Sequence, residues 1–583
     1  MRALLAAAAV LGATLVLYGS ALRYPLQFDD PQINTYFAQP APFGSLRWLS
    51  EASFAGIHRA FGAGLVWQRL ANLQLHMTTA LVLFGFLARL FSAVLNDERS
   101  RWLAFFGALW FLVHPAAVYG VAYLLQRSIV LATLFSIFAL WCVLEGLLRR
   151  SAAWFAGAAV AYLLALWSKE AAILLPAVAG ALAVLLGRTS KRTAAAALAV
   201  CAAIAASVIV QRRALLGAAY EPFAAEILGG TELVWPLSIL NQATLFFRYL
   251  ATWLVPWAGW MSVDLRPPFP RELLGWHALG FVAWLAYPVL ALRLLRRGGR
   301  AGLAGFGLLA PWLLSLTELV TVRVQEPFVL YRSYLWMCCL PAILPAVVAP
   351  LAPRRQIALL AALCVALAIG AHGRIETFSS AVALWHDAVR KSDPAASFVE
   401  RSLVSRGLAQ LDAGRFAPAA ADFARALEIN PRFADAYLAR GTLRLRTRRP
   451  TEALEDLDLA LIHRPGYAAA YSQRCFARLQ LQRAADALAD CERALALNPL
   501  DDAAWSNTGM AQRSLGRSAD AAASYRRTLE LKPGNGAAHY NYAALLLAEG
   551  RRDGEVVRHL LAACQGGISD ACGFLDRLQW QAK

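Results

Sequence analysis

Eleven apolar stretches follow one another through the first 372 residues: 3–22, 70–92, 102–119, 127–148, 152–168, 171–187, 193–210, 276–295, 301–320, 335–352 and 356–372. A bilayer core of about 30 Å takes roughly 20 residues of helix to cross. Backbone groups in hydrocarbon must be satisfied within the segment itself, so such runs are restricted to helices. The N-terminal part is therefore predicted to be a polytopic bundle of about 11 spans, residues 1–375, and the fold class all-α. Hydrophobic residues make up 59% of the chain and charged ones 16%, outside the usual soluble balance. The first stretch also reads as a cleaved signal peptide. Against that, its apolar run is long and no small-x-small cleavage site follows.

Basic residues fall at alternate connections: Arg99 and Arg101, Arg149 and Arg150, the cluster 188–192, the cluster 296–300, and Arg354 with Arg355. The positive-inside rule makes these loops cytoplasmic. Eleven spans then place the N-terminus inside and everything after the last span outside, as in a bacterial inner-membrane protein with a periplasmic C-terminal region. The net charge of +18 follows from this topology and from an arginine-rich C-terminal part. It is weak support for nucleic-acid binding, which needs one concentrated basic face.

Beyond a linker or helix at 376–397 the pattern changes. Pro431, Pro465, Pro499 and Pro533 are each 34 residues apart. Gly407, Gly441 and Gly509 recur in register. So do Ala419, Ala453, Ala487 and Ala521, and then Ala426, Ala460 and Ala494. Two helices cross closely only where side chains are small, so these positions read as helix contacts. Phe423 and Tyr525 supply larger packing residues, and Trp505 opens a unit. The period and pattern are those of the tetratricopeptide repeat, a helix pair that buries its face on its neighbours. Four full units and a degenerate fifth are expected over 398–567, with a cap or tail at 568–583. Such stacks offer a groove for an extended peptide.

Of the nine cysteines, Cys142, Cys201, Cys338, Cys339 and Cys364 lie in apolar segments and read as small buried hydrophobes. Cys475 and Cys491 take the glycine-like and phenylalanine-like positions of the third unit and would face each other across its helix pair. Cys564 and Cys572 lie in the exported region too. An oxidising compartment permits disulfides at both pairs, which spacing alone does not prove.

Ionisable groups near spans are costly and are functional candidates by default. The topology above gathers a set of them on its outer side. These are Asp29 and Asp30 after the first span, His76, His114 and Arg127, Lys169 with Glu170, Arg248 and Asp264 in the long segment 211–275, and Arg323, Glu326 and Arg332. The set suits sugar transfer from a lipid phosphate. A departing polyprenyl phosphate needs cations, for which Arg127, Lys169, Arg248 and Arg332 are candidates. An acceptor hydroxyl needs a carboxylate base, for which Asp29 and Asp30 are candidates. The tandem acids could equally hold a divalent metal.

Each residue also has a plainer reading. Asp29 and Asp30 could mark a span end in solvent, and His76 and His114 could be packing residues. Lys169 and Glu170 could form a local ion pair, and Arg323 and Arg332 could snorkel to headgroups. Asp264 could cap a turn before Pro267 and Pro268. Two further segments read as helices lying at the outer surface: 43–61, which mixes Phe43, Trp48 and Phe54 with Arg47, Glu51, His58 and Arg59, and Leu245–Trp257, too short to span.

Several short motifs occur in a fixed order: Phe28-Asp29-Asp30, the run from Arg69 through Asn72 to His76, His114-Pro115 leading to Gln126-Arg127, Ser168-Lys169-Glu170, Arg248-Tyr249-Leu250 and Arg332-Ser333-Tyr334-Leu335. A Trp385 segment then precedes the repeats. In this series the chain resembles the transmembrane-and-tetratricopeptide-repeat proteins and their bacterial relatives. These are GT-C membrane glycosyltransferases akin to protein O-mannosyltransferases. The resemblance implies a polyprenyl-phosphate-linked sugar donor, a hydroxyl acceptor on an exported protein, inversion at the anomeric carbon, and an acid of the first outer loop as base. That acid is carried to Asp29, with Asp30 beside it. Relatives carry two further acids near the His-Pro motif; here those places are Tyr119 and Ile129.

The expected function is thus an integral-membrane protein O-glycosyltransferase whose repeats bind or present the acceptor. Two rivals are a non-catalytic repeat scaffold anchored by its membrane part, and a GT-C enzyme acting on a lipid or polysaccharide.

Overall fold

The computed structural model describes residues 12–27, 30, 33–38, 42–43, 47–62, 64–97, 100–187, 206, 233–320, 322–324, 328–393, 396 and 398–581. Several sequence expectations lie outside these residues: Asp29, Glu326, the basic cluster 188–192, most of the stretch 193–210 and the start of the first one. The chain divides into two compact units, Met1–Val399 and Glu400–Lys583. Among the described residues both are helical, with no β-strand and a single antiparallel bridge between Leu265 and Phe328.

In the first unit, six helices are long and apolar enough to cross a membrane: Leu65–Leu95, Leu124–Arg149, Trp276–Arg296, Gly299–Leu319, Leu330–Val347 and Pro353–Glu376. A seventh span results if Ser100–Leu112 and Pro115–Val121 are taken together across a bend of 48°. Ala152–Ser168 and Glu170–Leu185 are apolar but shorter. The expectation of about 11 spans is therefore reduced to six or seven among the described residues.

One segment is longer than expected: residues 245–254 are the second half of a 21-residue helix, Val234–Leu254, which is still not apolar enough to count among the candidate spans. That length is about 31 Å at 1.5 Å per residue. Its first half contains Ser238, Asn241 and Gln242, which break the apolar run in the sequence yet are buried against the rest of the unit. The Ser238 hydroxyl accepts from the Arg323 backbone N–H at 3.0 Å, which is how a polar group is tolerated there.

The core of this unit is dense with aromatic side chains, Phe86, Phe91, Phe111, Trp253 and Trp336 among them. Close helix crossings depend on small residues. At Gly305 an added Cβ would stand 2.3 Å from the Leu295 backbone nitrogen, so the hairpin of Trp276–Arg296 and Gly299–Ser315 closes only because that side chain is absent.

The second unit is a series of helix pairs beginning with Val399–Asp412 and Phe416–Ile429 and ending with Gly536–Ala548 and Gly554–Gln565, after which Ser569–Gln581 follows alone. The recurring prolines sit just after the second helices, where a residue lacking an N–H ends a helix at no cost. The next helix then folds back onto them: Tyr437, Trp505 and His539 each donate to the carbonyl of the proline six residues earlier, at 3.1, 3.0 and 2.8 Å. The alanines at 419, 453, 487 and 521 are fully buried, as are those at 426, 460 and 494.

Candidate functional site

The site begins at a break in a helix. Ser100–Leu112 stops before His114-Pro115, where proline both withholds its N–H and restricts the residue before it. His114 caps the new turn, its Nδ1 accepting from the Ala116 N–H at 3.1 Å while Nε2 donates to the Trp253 carbonyl at 3.1 Å. Its ring lies stacked on Trp253. The redirected chain reaches a short turn, Leu124–Gln126, before the Arg127–Arg149 helix.

That turn holds two sequence-predicted residues at once. The Leu125 N–H donates to Asp30 Oδ1 at 2.9 Å, and the Gln126 side-chain oxygen accepts from Lys169 Nζ at 3.1 Å. Asp30 is completely buried, and its other oxygen accepts from the Gln27 N–H at 3.2 Å. It does not mark a span end in solvent. Arg69 and Arg127 both lie within electrostatic range of it. Lys169 is half-buried, with its ammonium 5.0 Å from the centre of the Tyr331 ring. Burial, with Arg47 adding to it and Glu170 opposing, draws that ammonium down to about 7. A lysine so placed is charged most readily when an anion arrives beside it.

The remaining candidates are distributed around this turn in ways the sequence did not indicate. Arg127 is fully buried and its donors are taken up within the protein. Nε reaches Asn72 Oδ1 at 2.6 Å, Nη2 the Gln68 carbonyl and side chain at 2.8 and 2.9 Å, and Nη1 the Ser53 hydroxyl at 3.3 Å. Phe54 covers its face at 3.8 Å. Such an arginine is a staple between helices. His76 is likewise saturated: Nε2 donates to the Leu112 carbonyl at 2.9 Å, so Nδ1 accepts from the Tyr334 hydroxyl at 2.6 Å. Both histidines are thus in the packing role.

Lys169 and Glu170 do not pair with each other. Glu170 takes a two-point contact from Arg47, at 2.8 and 3.3 Å, which anchors the start of the Trp48–Phe61 helix beside the lysine. Arg323 and Arg332 do not snorkel; both face Glu318, each at 3.4 Å. Asp264 pairs with Arg266 at 2.9 Å in a buried contact rather than capping the turn before Pro267. Arg248 lies over the Phe328 ring at 5.0 Å, and no carboxylate stands in ion-pair range of it among the described residues.

Sequence reading passed over Glu318, and it named Arg47, Arg69 and Gln126 only as members of a surface segment or a motif, with no role at the site. It also passed over a buried cluster in which Asp387 binds Arg374 at 3.0 Å and Lys391 at 2.6 Å, both cations also donating to the Met261 carbonyl. Arg69 is the nearest to legible: its guanidinium donates to the carbonyls of Tyr24, Pro25 and Ala122, a fixed scaffold on either side of Asp30. No group of three or more His, Cys, Asp or Glu side chains is gathered as a metal site among the described residues.

In the second unit Arg406–Asp422, Arg440–Asp456 and Arg474–Asp490 form a series of ion pairs with buried carboxylates, each joining the two helices of one repeat across 16 residues. The Cys475–Cys491 and Cys564–Cys572 disulfides are both present.

A comparison with curated proteins finds no match. The Tetratricopeptide repeat family profile matches residues 404–469, 477–536 and 509–571. Among solved structures, MamA is 24% identical over 28% of this chain and 96% of its own, with a TM-score of 0.25. A thermophilic TPR protein of Thermus thermophilus is 23% identical over 31% and 99%, with a TM-score of 0.29. YrrB, described as a TPR protein with an unusual peptide-binding site, is 20% identical over 31% and 91%, with a TM-score of 0.25. The C-terminal unit of this chain is a tetratricopeptide-repeat array, the kind of domain that serves protein–protein interaction.

Proposed function

We propose that the protein is an integral-membrane glycosyltransferase that moves a sugar from a polyprenyl-phosphate donor to a hydroxyl of an exported protein, with the repeat array binding or presenting that acceptor. The observation that carries this reading is the turn Leu124–Gln126, which fastens a buried carboxylate, Asp30, and an anion-seeking lysine, Lys169, through adjacent residues. A carboxylate base and a cation for the departing phosphate, tied to adjacent residues of one turn, suit such a transfer. Asp29 would take the acceptor proton, with the buried Asp30 beside it fixing that segment of chain to the turn. Lys169 and Arg248 would hold the phosphate as its charge grows on departure. Arg332 stands by Glu318 and would contribute to the field, while Arg127 keeps the turn in place.

This reading requires the array to lie in the periplasm with the exported acceptor, and the N-terminus in the cytoplasm. A divalent cation on Asp29 and Asp30 is the alternative to their role as base. A GT-C enzyme acting on a lipid or polysaccharide would use the same turn and differ in acceptor. The scaffold reading rests on the array alone and leaves the Asp30–Lys169 arrangement without a purpose.

Asp29→Asn should abolish glycan addition to exported proteins, read as intact mass, while the protein's membrane level stays normal. Unchanged glycosylation in that variant and in Asp29→Asn/Asp30→Asn would sink the enzymatic reading and leave the scaffold.

A further inference from the structure

The four repeats between Val399 and Leu531 make the same helix crossing with two different kinds of chemistry. In the first, second and fourth, a glycine of the first helix meets a large side chain 16 residues later. A Cβ added at Gly407 would stand 2.4 Å from Phe423, at Gly441 3.1 Å from Leu457, and at Gly509 2.6 Å from Tyr525. Phe423, Leu457 and Tyr525 are fully buried, so one large apolar group fills the gap between the helices. In the third repeat the same two positions are Cys475 and Cys491, bonded to each other and fully buried, with Cα atoms 5.5 Å apart.

Two cysteine side chains hold four heavy atoms, as many as an isobutyl group and fewer than a benzyl group, but split between the two helices, so no single large side chain crosses from one helix to the other. Without the bond this crossing lacks the single large group that joins the helices in its neighbours, and the covalent link that takes its place is gone. Ala487, Leu488, Ala511 and Leu479 pack around the pair. The cysteines are also segregated. Those of the second unit are all in disulfides, whereas Cys142, Cys338, Cys339 and Cys364 of the first are free and buried.

We infer that the third repeat is closed by oxidation: the Cys475–Cys491 bond replaces the packing pair of the other repeats, and reduction opens the array at that one place. Forming the bond joins the two sulfurs and passes two electrons and two protons to a disulfide-bearing oxidant by thiol exchange. The array is then continuous only in a compartment that supplies one, and a reductant divides it into a two-repeat half and the remainder.

The test is limited trypsin digestion of the full-length protein in detergent, with and without dithiothreitol, with cut sites mapped by mass spectrometry. Oxidised protein should resist cleavage at Arg474, Arg478, Arg483 and Arg493. Reduction should speed cutting there on the order of 100-fold, the effect of losing a 16-residue crosslink. Cys475→Gly/Cys491→Phe restores the packing pair of the first repeat, and Cys475→Gly/Cys491→Tyr that of the fourth. At least one should resist cleavage equally with and without reductant. Both variants keep the Cys564–Cys572 bond, so its reduction is common to every arm. Reduced wild type as resistant as oxidised, or cleavage in both exchange variants whatever the redox state, would overturn the inference.

Discussion

The two units solve the same problem, burial of polar groups among helices, in opposite ways. In the array the solution is periodic. Arg406–Asp422, Arg440–Asp456 and Arg474–Asp490 repeat one ion pair at one spacing, and the proline carbonyls at 431, 499 and 533 receive one donor from the same register position. In the membrane-type unit every solution is unique. His76 binds Tyr334, 258 residues away, Trp253 binds Ser333, and Arg127 is held by three separate residues. Periodic interactions make stability a sum over neighbours, so damage stays local. Unique interactions concentrate it, so one residue can dismantle a region.

The sharpest way to break this contrast is Arg127→Ala. It strands Asn72 and Gln68 oxygens in a buried setting and should cost about 3–5 kcal/mol, seen as lost folded protein in the membrane and a lower detergent melting temperature. Survival at normal levels would mean that the first unit is as forgiving as the array.

Next in size is Asp456→Ala. Asp456 is the buried partner of both Arg440 and Arg444, which are themselves partly exposed. About 2 kcal/mol is expected, as faster proteolysis confined to the Ala434–Arg446 and Pro450–His463 pair. Spread of the damage into the last repeats would contradict local summation.

Glycine substitutions grade the crossings. Gly407→Ala drives a Cβ toward the Phe423 ring at 2.4 Å and should cost about 2 kcal/mol. Gly441→Ala, where Leu457 at 3.1 Å can yield a little, should cost about 1 kcal/mol. Thermal unfolding in detergent ranks the two, and the reverse order would reject close packing as the cause.

The smallest effect is one of pH. His559 lies 2.7 Å from His539 across a shared Nδ1 contact. His539 donates its Nε2 proton to the Pro533 carbonyl, so its Nδ1 is the acceptor and His559 the donor. Burial, reinforced by His539 and partly opposed by Glu555, holds His559 below its usual value, with Arg558 adding to the effect. The unfolded chain therefore binds a proton that the fold refuses. Stability is complete above about pH 6.5 and is lost as pH falls below it. Hydrogen exchange in the Gly536–Ala548 and Gly554–Gln565 pair should rise at pH 5.5, and His559→Gln should flatten that rise.

Legibility followed the same division. The 34-residue period, the small residues and the prolines are local facts, and the physics that uses them acts between neighbours in sequence. The ion pairs at 16-residue spacing were present in the same rows and were passed over, because a charged residue at a helix position reads first as surface. In the other unit, Ser238, Asn241 and Gln242 disguised half of the Val234–Leu254 helix, since hydropathy registers a residue's own polarity and not the partner that satisfies it. Lys169 and Glu170 were noticed as a pair, yet their partners, Gln126 and Arg47, are 43 and 123 residues away.

By itself, then, the amino-acid order determined an apolar helical part, a repeat array and where one gives way to the other. It also marked which charged residues stand out against an apolar background. Only the tertiary structure decided what each of those charges does: that Arg127 is consumed within the protein, that Asp30 is buried on the N–H of Leu125, and that Lys169 donates to the side chain of Gln126. The physical reason is range. Helix formation and repeat stacking are set by residues within a few turns of one another, whereas the state of a buried charge is set by whichever dipole the fold brings within about 3 Å.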